Sequence, residues 1–157
     1  MWAHANGILI DNSTTGGMGA TSRRDGASVV DNCVTNAMSY PNEVLEQDHP
    51  VLIEEVRLRR GSGGAGHHDG GDGLVRRVQF LADGVLSLRG YRTLSGPPGA
   101  DGGADGTVSR WTLIRDGHER PLAPQQTGIT TLPGDVLLIE TPGGGGFGPA
   151  ERTSDGA

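Results

Sequence analysis

Apolar and polar positions alternate along most of this chain in short stretches, each closed by glycine, proline or aspartate. Val51–Arg59, "VLIEEVRLR", alternates in part and reads as a strand. The stretch 73–81 sets Leu74, Val78 and Phe80 near one face with arginines between, and 84–91 is a shorter strand of the same kind. Residues 108–115 lead into Asp116-Gly117 and a return strand, the strongest short-range hairpin pattern in the chain. A strand near 129–131, a Pro133-Gly134 turn and the apolar run Val136–Glu140 follow. Towards the start, 6–11 and 26–36 carry β-branched residues and read as strands. Helical spacing occurs only in 40–50. Pro41 or Asn42 opens a short helix near 41–48, Glu43 suits its first turn, and Pro50 ends it. The predicted fold is mostly β (α+β): short strands with glycine-rich turns, sandwich- or barrel-like, with one short helix.

Composition narrows this picture. Glycine accounts for 28 of 157 residues, the apolar set is 34 % and aromatics 4 %. A domain of this length normally buries about two thirds of its unfolded surface. With so few large side chains the core is expected to be thin, and the chain to need a neighbour for its packing. The net charge of −6 argues against a nucleic-acid partner, which phosphate contacts would require to be basic. All 13 basic residues are arginine, which excludes a Schiff-base lysine and a phosphate-loop lysine within the chain. A single cysteine, Cys33, excludes an internal disulfide and reads as a small buried hydrophobe. No run approaches the ~20 apolar residues of a membrane span, and the first residues lack a secretory pattern. The expected location is cytoplasmic, with no membrane partner.

Three glycine stretches stand out: 14–26, 59–73 and 141–148. They admit three readings: anion-cradling nests, close-approach turns between strands, or linkers. Turns are favoured. Gly16, Gly17, Gly19, Gly63, Gly64 and Gly66 are the candidates for a substrate or anion loop. The Gly/Pro/Asp segment 95–106 has linker composition and is expected to be mobile or functional. His67 and Asp69 are weak metal candidates, because adjacent histidines in extended chain point apart; a solvated loop is the plainer reading. Glu43 and Glu46 lie three apart and share a helix face. These residues form no complete catalytic set.

Taken in order, "TTGGMGATSRRDGASVV", "TNAMSYPNEVLEQDHPVLIEEVRLRRGSGGAGHHDGGDGLVRRVQF", "LSGPPGADGG" and "PGDVLLIETPGGGGFGP" resemble the carboxy-terminal part of the hydantoinase B/oxoprolinase family, over roughly residues 8–149. The region 1–149 is thus expected to be a portion of a longer family domain, with 150–157 a disordered tail. The resemblance implies ATP-dependent hydrolysis of a cyclic amide, of hydantoin or 5-oxoproline type, or a role in a related ketone carboxylase. A hydantoinase A-type subunit would bind ATP and Mg and phosphorylate the substrate. This chain would bind no cofactor and would be inactive alone, its partners being that subunit and the missing upstream part of the B subunit. Asp25, Asn36, Glu43 and Glu46 are the candidate catalytic positions. The chain departs from the family pattern at His67, His68, Asp69 and Asp72, where a positive loop becomes neutral to acidic.

Overall fold

The computed structural model describes residues 2–4, 9–10, 14–31 and 37–150. In chain order its elements are β1 (Trp2–His4), β2 (Leu9–Ile10), α1 (Asn42–Asp48), β3 (Val51–Arg59), β4 (Gly73–Phe80), β5 (Gly84–Arg89), β6 (Arg110–Arg115), β7 (His118–Pro121), β8 (Gln125–Thr131) and β9 (Val136–Glu140). Every named strand pairing is antiparallel. Four strands form one sheet in the order β2-β1-β5-β8, and five form another in the order β3-β4-β9-β6-β7. The sheets face each other without closing into a barrel, so the sandwich alternative holds and the barrel does not. Among the described residues, the strands at the ends of each order pair with a strand on one side only.

Register explains which side chains meet. Ile53, Val78, Leu137 and Leu113 form one cross-strand row. Phe80 and Val51 pair beside it, and with Leu86 and Ile129 from the opposite sheet and Leu122 they build the core. Burying a side chain the size of Phe80 or Leu113 stabilises by about 2 kcal/mol. Two residues further along β4, the next row is Val56, Arg76, Ile139 and Trp111. Between Ile53 and Glu55 the register of β3 slips, and Glu54 pairs with Arg77 of β4 at 3.1 Å.

The Asp116-Gly117 hairpin and the Pro133-Gly134 turn form as the sequence predicts: Gly117 and Gly134 take φ of 76° and 92°. The predicted strand at 26–36 does not form within its described part. Residues 28–29 turn instead, with Val29 at φ 51°; residues 32–36, including Cys33, lie outside the described residues, as does 151–157. The helix opens at Pro41 with no side-chain cap bond.

The glycine stretches converge on one another. Residues 143–146 run through the middle of segments 16–20, 62–66, 70–73 and 96–106. A Cβ on Gly143 would meet the Ser62 carbonyl, one on Gly144 the Met18 carbonyl, one on Gly145 the Pro98 carbonyl, and one on Gly146 the Gly64 and Ala65 carbonyls. The fourth residue thus returns to the segment faced by the first, the three-residue period of an extended left-handed chain. Side-to-side backbone bonds hold the array: Gly64 N–H donates to the Gly144 carbonyl at 2.8 Å, Gly144 N–H to Gly71 at 2.8 Å, and Gly146 N–H to Ala104 at 2.9 Å. Segment 95–106, of linker composition, is one of these packed chains, with Ala100 N–H donating to Gly146 and Gly106 N–H to Pro97.

Candidate functional site

A large cleft opens between the two sheets, beside the start of the glycine array. Its volume is about 1190 Å³, above the usual few hundred to a thousand for a small-molecule site. The floor is apolar: Val78, Leu137 and Ile139 from the larger sheet, Leu86 and Leu88 from β5, and Leu45 of α1. Trp111 stands at one side. The rim is polar and carries Asp31, Arg89, Tyr91, Arg92 and the segment 14–19. Arg92 adopts φ 58°, an uncommon conformation for a residue with a side chain, and its carbonyl accepts the Ser109 N–H at 2.8 Å. Ser109 Oγ donates to the Tyr91 carbonyl at 2.6 Å, which fixes this stretch of the rim to the start of β6.

The residues singled out from sequence fall into separate places. Gly16, Gly17 and Gly19 line the cleft. Gly63, Gly64 and Gly66 lie in the array, and their N–H groups are engaged within the chain. Gly63 donates to Asp72 Oδ1 at 3.1 Å, Gly66 to Asp69 Oδ1 at 3.0 Å, and Gly64 to the Gly144 carbonyl. Asp72 Oδ1 also receives the Ser62 N–H at 2.9 Å. The Asp72 carboxylate therefore occupies the nest formed by its own loop.

Asp25 joins two turns. Its Oδ1 lies 3.2 Å from His68 Nδ1 and accepts the Asp69 N–H at 3.0 Å. His67 and His68 stack edge to face, centroids 4.8 Å apart. Among the described residues no group of three or more His, Cys, Asp or Glu converges in a way that could hold a metal ion. Glu46, a candidate catalytic position, has its Oε1 engaged within the chain: it accepts the Ile53 N–H at 2.7 Å and ties α1 to the edge of β3. Its place in the middle of α1 puts it beyond reach of the helix's first N–H groups. Glu43 is exposed on the same helix. Asn36 lies outside the described residues.

Arg76 was not singled out from sequence. It is 4 % exposed, in the row between Val56 and Ile139, and α1 covers it: Nη2 donates to Asn42 Oδ1 at 3.0 Å. Its Nε is buried without a hydrogen-bond partner. Burial lowers its pKa from the ordinary value. The sequence did carry the signal, since Arg76 has the same parity as Leu74, Val78 and Phe80 and so falls on their face.

Comparison with known proteins follows the same residues. The family model described as hydantoinase B/oxoprolinase matches residues 4–150. The chain is 39 % identical over 133 residues to 5-oxoprolinase 1 of Arabidopsis thaliana, an alignment covering 85 % of this chain and 10 % of that protein. The ATP-dependent caprolactamase of Pseudomonas jessenii has the same fold, with a TM-score of 0.72 and 30 % identity over 85 % of this chain and 24 % of that one. A nucleotide-free acetone carboxylase shares the fold at a TM-score of 0.64 and 18 % identity, over 85 % of this chain and 22 % of that one. The chain thus spans about a tenth of the plant 5-oxoprolinase it matches and about a quarter of the two structural neighbours. Among the described residues no helix is long and apolar enough to cross a membrane.

Proposed function

The chain belongs to the hydantoinase B/oxoprolinase family, and from that premise we propose that it is the carboxy-terminal portion of a B-type subunit for ATP-dependent hydrolysis of a cyclic amide. The single observation that carries this reading is its common fold with an ATP-dependent caprolactamase, at 30 % identity over 85 % of the chain. A lactam resists water because its nitrogen donates into the carbonyl. Phosphoryl transfer from ATP to the carbonyl oxygen removes that resistance; water then adds to the carbon, the C–N bond breaks with the proton going to the amine to leave an acyl phosphate, and a second water releases phosphate and the free amino acid. An A-type partner would hold ATP and Mg and carry out the transfer. The role of this chain is to wall the site in which the activated ring is held, with the apolar cleft floor against the ring methylenes and the segment 14–19 along its edge. It acts in the cytoplasm and only as part of the longer assembly.

The test is reconstitution. The chain is combined with an A-type subunit and the remainder of a B-type subunit, and ADP release is followed with 5-oxoproline, a hydantoin or caprolactam. The expected result is lactam-dependent ADP release from the full set and none from this chain alone. Lactam hydrolysis by the isolated chain without ATP would overturn the reading. A second reading, a non-catalytic assembly module, is favoured by the recurrence of the fold in an acetone carboxylase. It predicts association that is unchanged by substrate, with full turnover retained when the cleft floor is altered.

A further inference from the structure

Four other arginines on the larger sheet have carboxylate partners. Arg57 meets Glu55, Arg59 meets Glu140, Arg77 meets Glu54 and Arg115 meets Asp135. Arg76 is the one arginine among the described residues that is buried, and its partner is an amide. Asn42 Oδ1 occupies Nη2 alone, while the adjacent Nε, on the same edge of the guanidinium, has nothing. A carboxylate fills that edge with two oxygens, one on each nitrogen; an amide can offer only one acceptor there. A cation withdrawn from water with its Nε–H unpartnered is a costly arrangement that an anion relieves. The helix over it has seven residues and no side-chain cap, so it opens at small cost.

We propose that Arg76 is a binding site for a carboxylate, received edge-on by Nε and Nη2 in place of Asn42. The carboxylate comes either from an acidic side chain of the longer subunit or from a cyclic amide that carries one. The site stands without the cyclic-amide reading above; only the choice of 5-oxoproline as a probe rests on it.

The whole 157-residue chain is labelled with ¹⁵N, and the Arg76 Nε–H resonance is assigned by its loss in Arg76→Met. Acetate, 5-oxoproline and 2-pyrrolidinone, the same ring without the carboxylate, are titrated at constant ionic strength. Acetate and 5-oxoproline are expected to displace the resonance saturably, with 2-pyrrolidinone at least tenfold weaker. Similar affinities for acetate and 5-oxoproline assign the site to a protein side chain; tenfold tighter 5-oxoproline assigns it to the small molecule. Asn42→Asp, which installs the missing oxygen charge without changing shape, is expected to raise Tm by about 3 °C and to weaken both carboxylates at least tenfold. The proposal is overturned if neither carboxylate moves the resonance, if 2-pyrrolidinone moves it as strongly as 5-oxoproline, or if Asn42→Asp lowers Tm. Should Arg76→Met fail to fold, the Tm of the unaltered chain in acetate against chloride and the Tm of Asn42→Asp decide the matter.

Discussion

Arg115 grips Asp135 with two parallel hydrogen bonds, Nε to Oδ1 at 2.8 Å and Nη2 to Oδ2 at 2.6 Å. The pair joins the end of β6 to the turn before β9. Asp135 Oδ2 also accepts the Leu132 N–H at 2.8 Å, so the carboxylate closes its own turn while anchoring a neighbouring strand.

Burial alone would raise the Asp135 pKa, but the bond from Arg115, the Leu132 N–H and the charges of Arg115 and Arg120 hold it below the ordinary value. A carboxyl whose folded pKa is depressed adds stability that is complete above the unfolded value, near pH 4, and is lost as pH falls through the folded value. Asp135→Asn should destabilise by about 2 kcal/mol at neutral pH. The gap in Tm between the two proteins should stay constant from pH 7 to about pH 5 and close below about pH 4. Melting followed by circular dichroism across that range checks it; a gap that persists in acid would show that the carboxylate's charge is not what matters.

Glycines in this chain do two different jobs, and alanine separates them. At Gly144 a Cβ would collide with the Met18 carbonyl, so Gly144→Ala should cost about 3 kcal/mol, the upper range for overpacking. At Gly117 nothing lies within 4 Å and φ is 76°, so Gly117→Ala meets only backbone strain and should cost about 1 kcal/mol. Urea denaturation of the two variants gives both numbers. Equal costs would mean that the central array yields as readily as a hairpin turn.

That array also marks where the sequence stops being legible. Strands such as Val136–Glu140 and the Asp116-Gly117 hairpin announce themselves because alternating side chains and turn residues are local. Gly143 to Gly146 carry no side chains, so a three-residue period leaves no hydrophobic trace, and partners as distant as Ser62 and Pro98 cannot be inferred from spacing. Segment 95–106 is hard to read for the same reason: its composition is that of a flexible chain, while backbone bonds to its neighbours pack it into the array. Arg76 is a different case, since its parity with Val78 and Phe80 was visible and its charge hid it. Of the candidate positions, Asp25 and Glu46 have structural partners that sequence could not supply, because His68 and Ile53 reach them only through tertiary packing.

Glu46 and Glu43 share α1 but should respond differently to removal. Glu46 accepts the Ile53 N–H at 2.7 Å on the edge of β3, so Glu46→Ala leaves a strand donor unpaired and loosens the contact between helix and sheet. A charged acceptor of this kind is worth about 2 kcal/mol, seen as a lower Tm and faster exchange of the Ile53 amide. Glu43 is exposed, and Glu43→Ala should change stability by less than about 0.5 kcal/mol. Glu46→Gln keeps an acceptor oxygen and should restore most of the loss. If Glu43→Ala abolished turnover of the reconstituted complex at unchanged Tm, Glu43 would act on substrate; if Glu46→Ala lowered turnover only in step with Tm, Glu46 would be a brace between helix and strand.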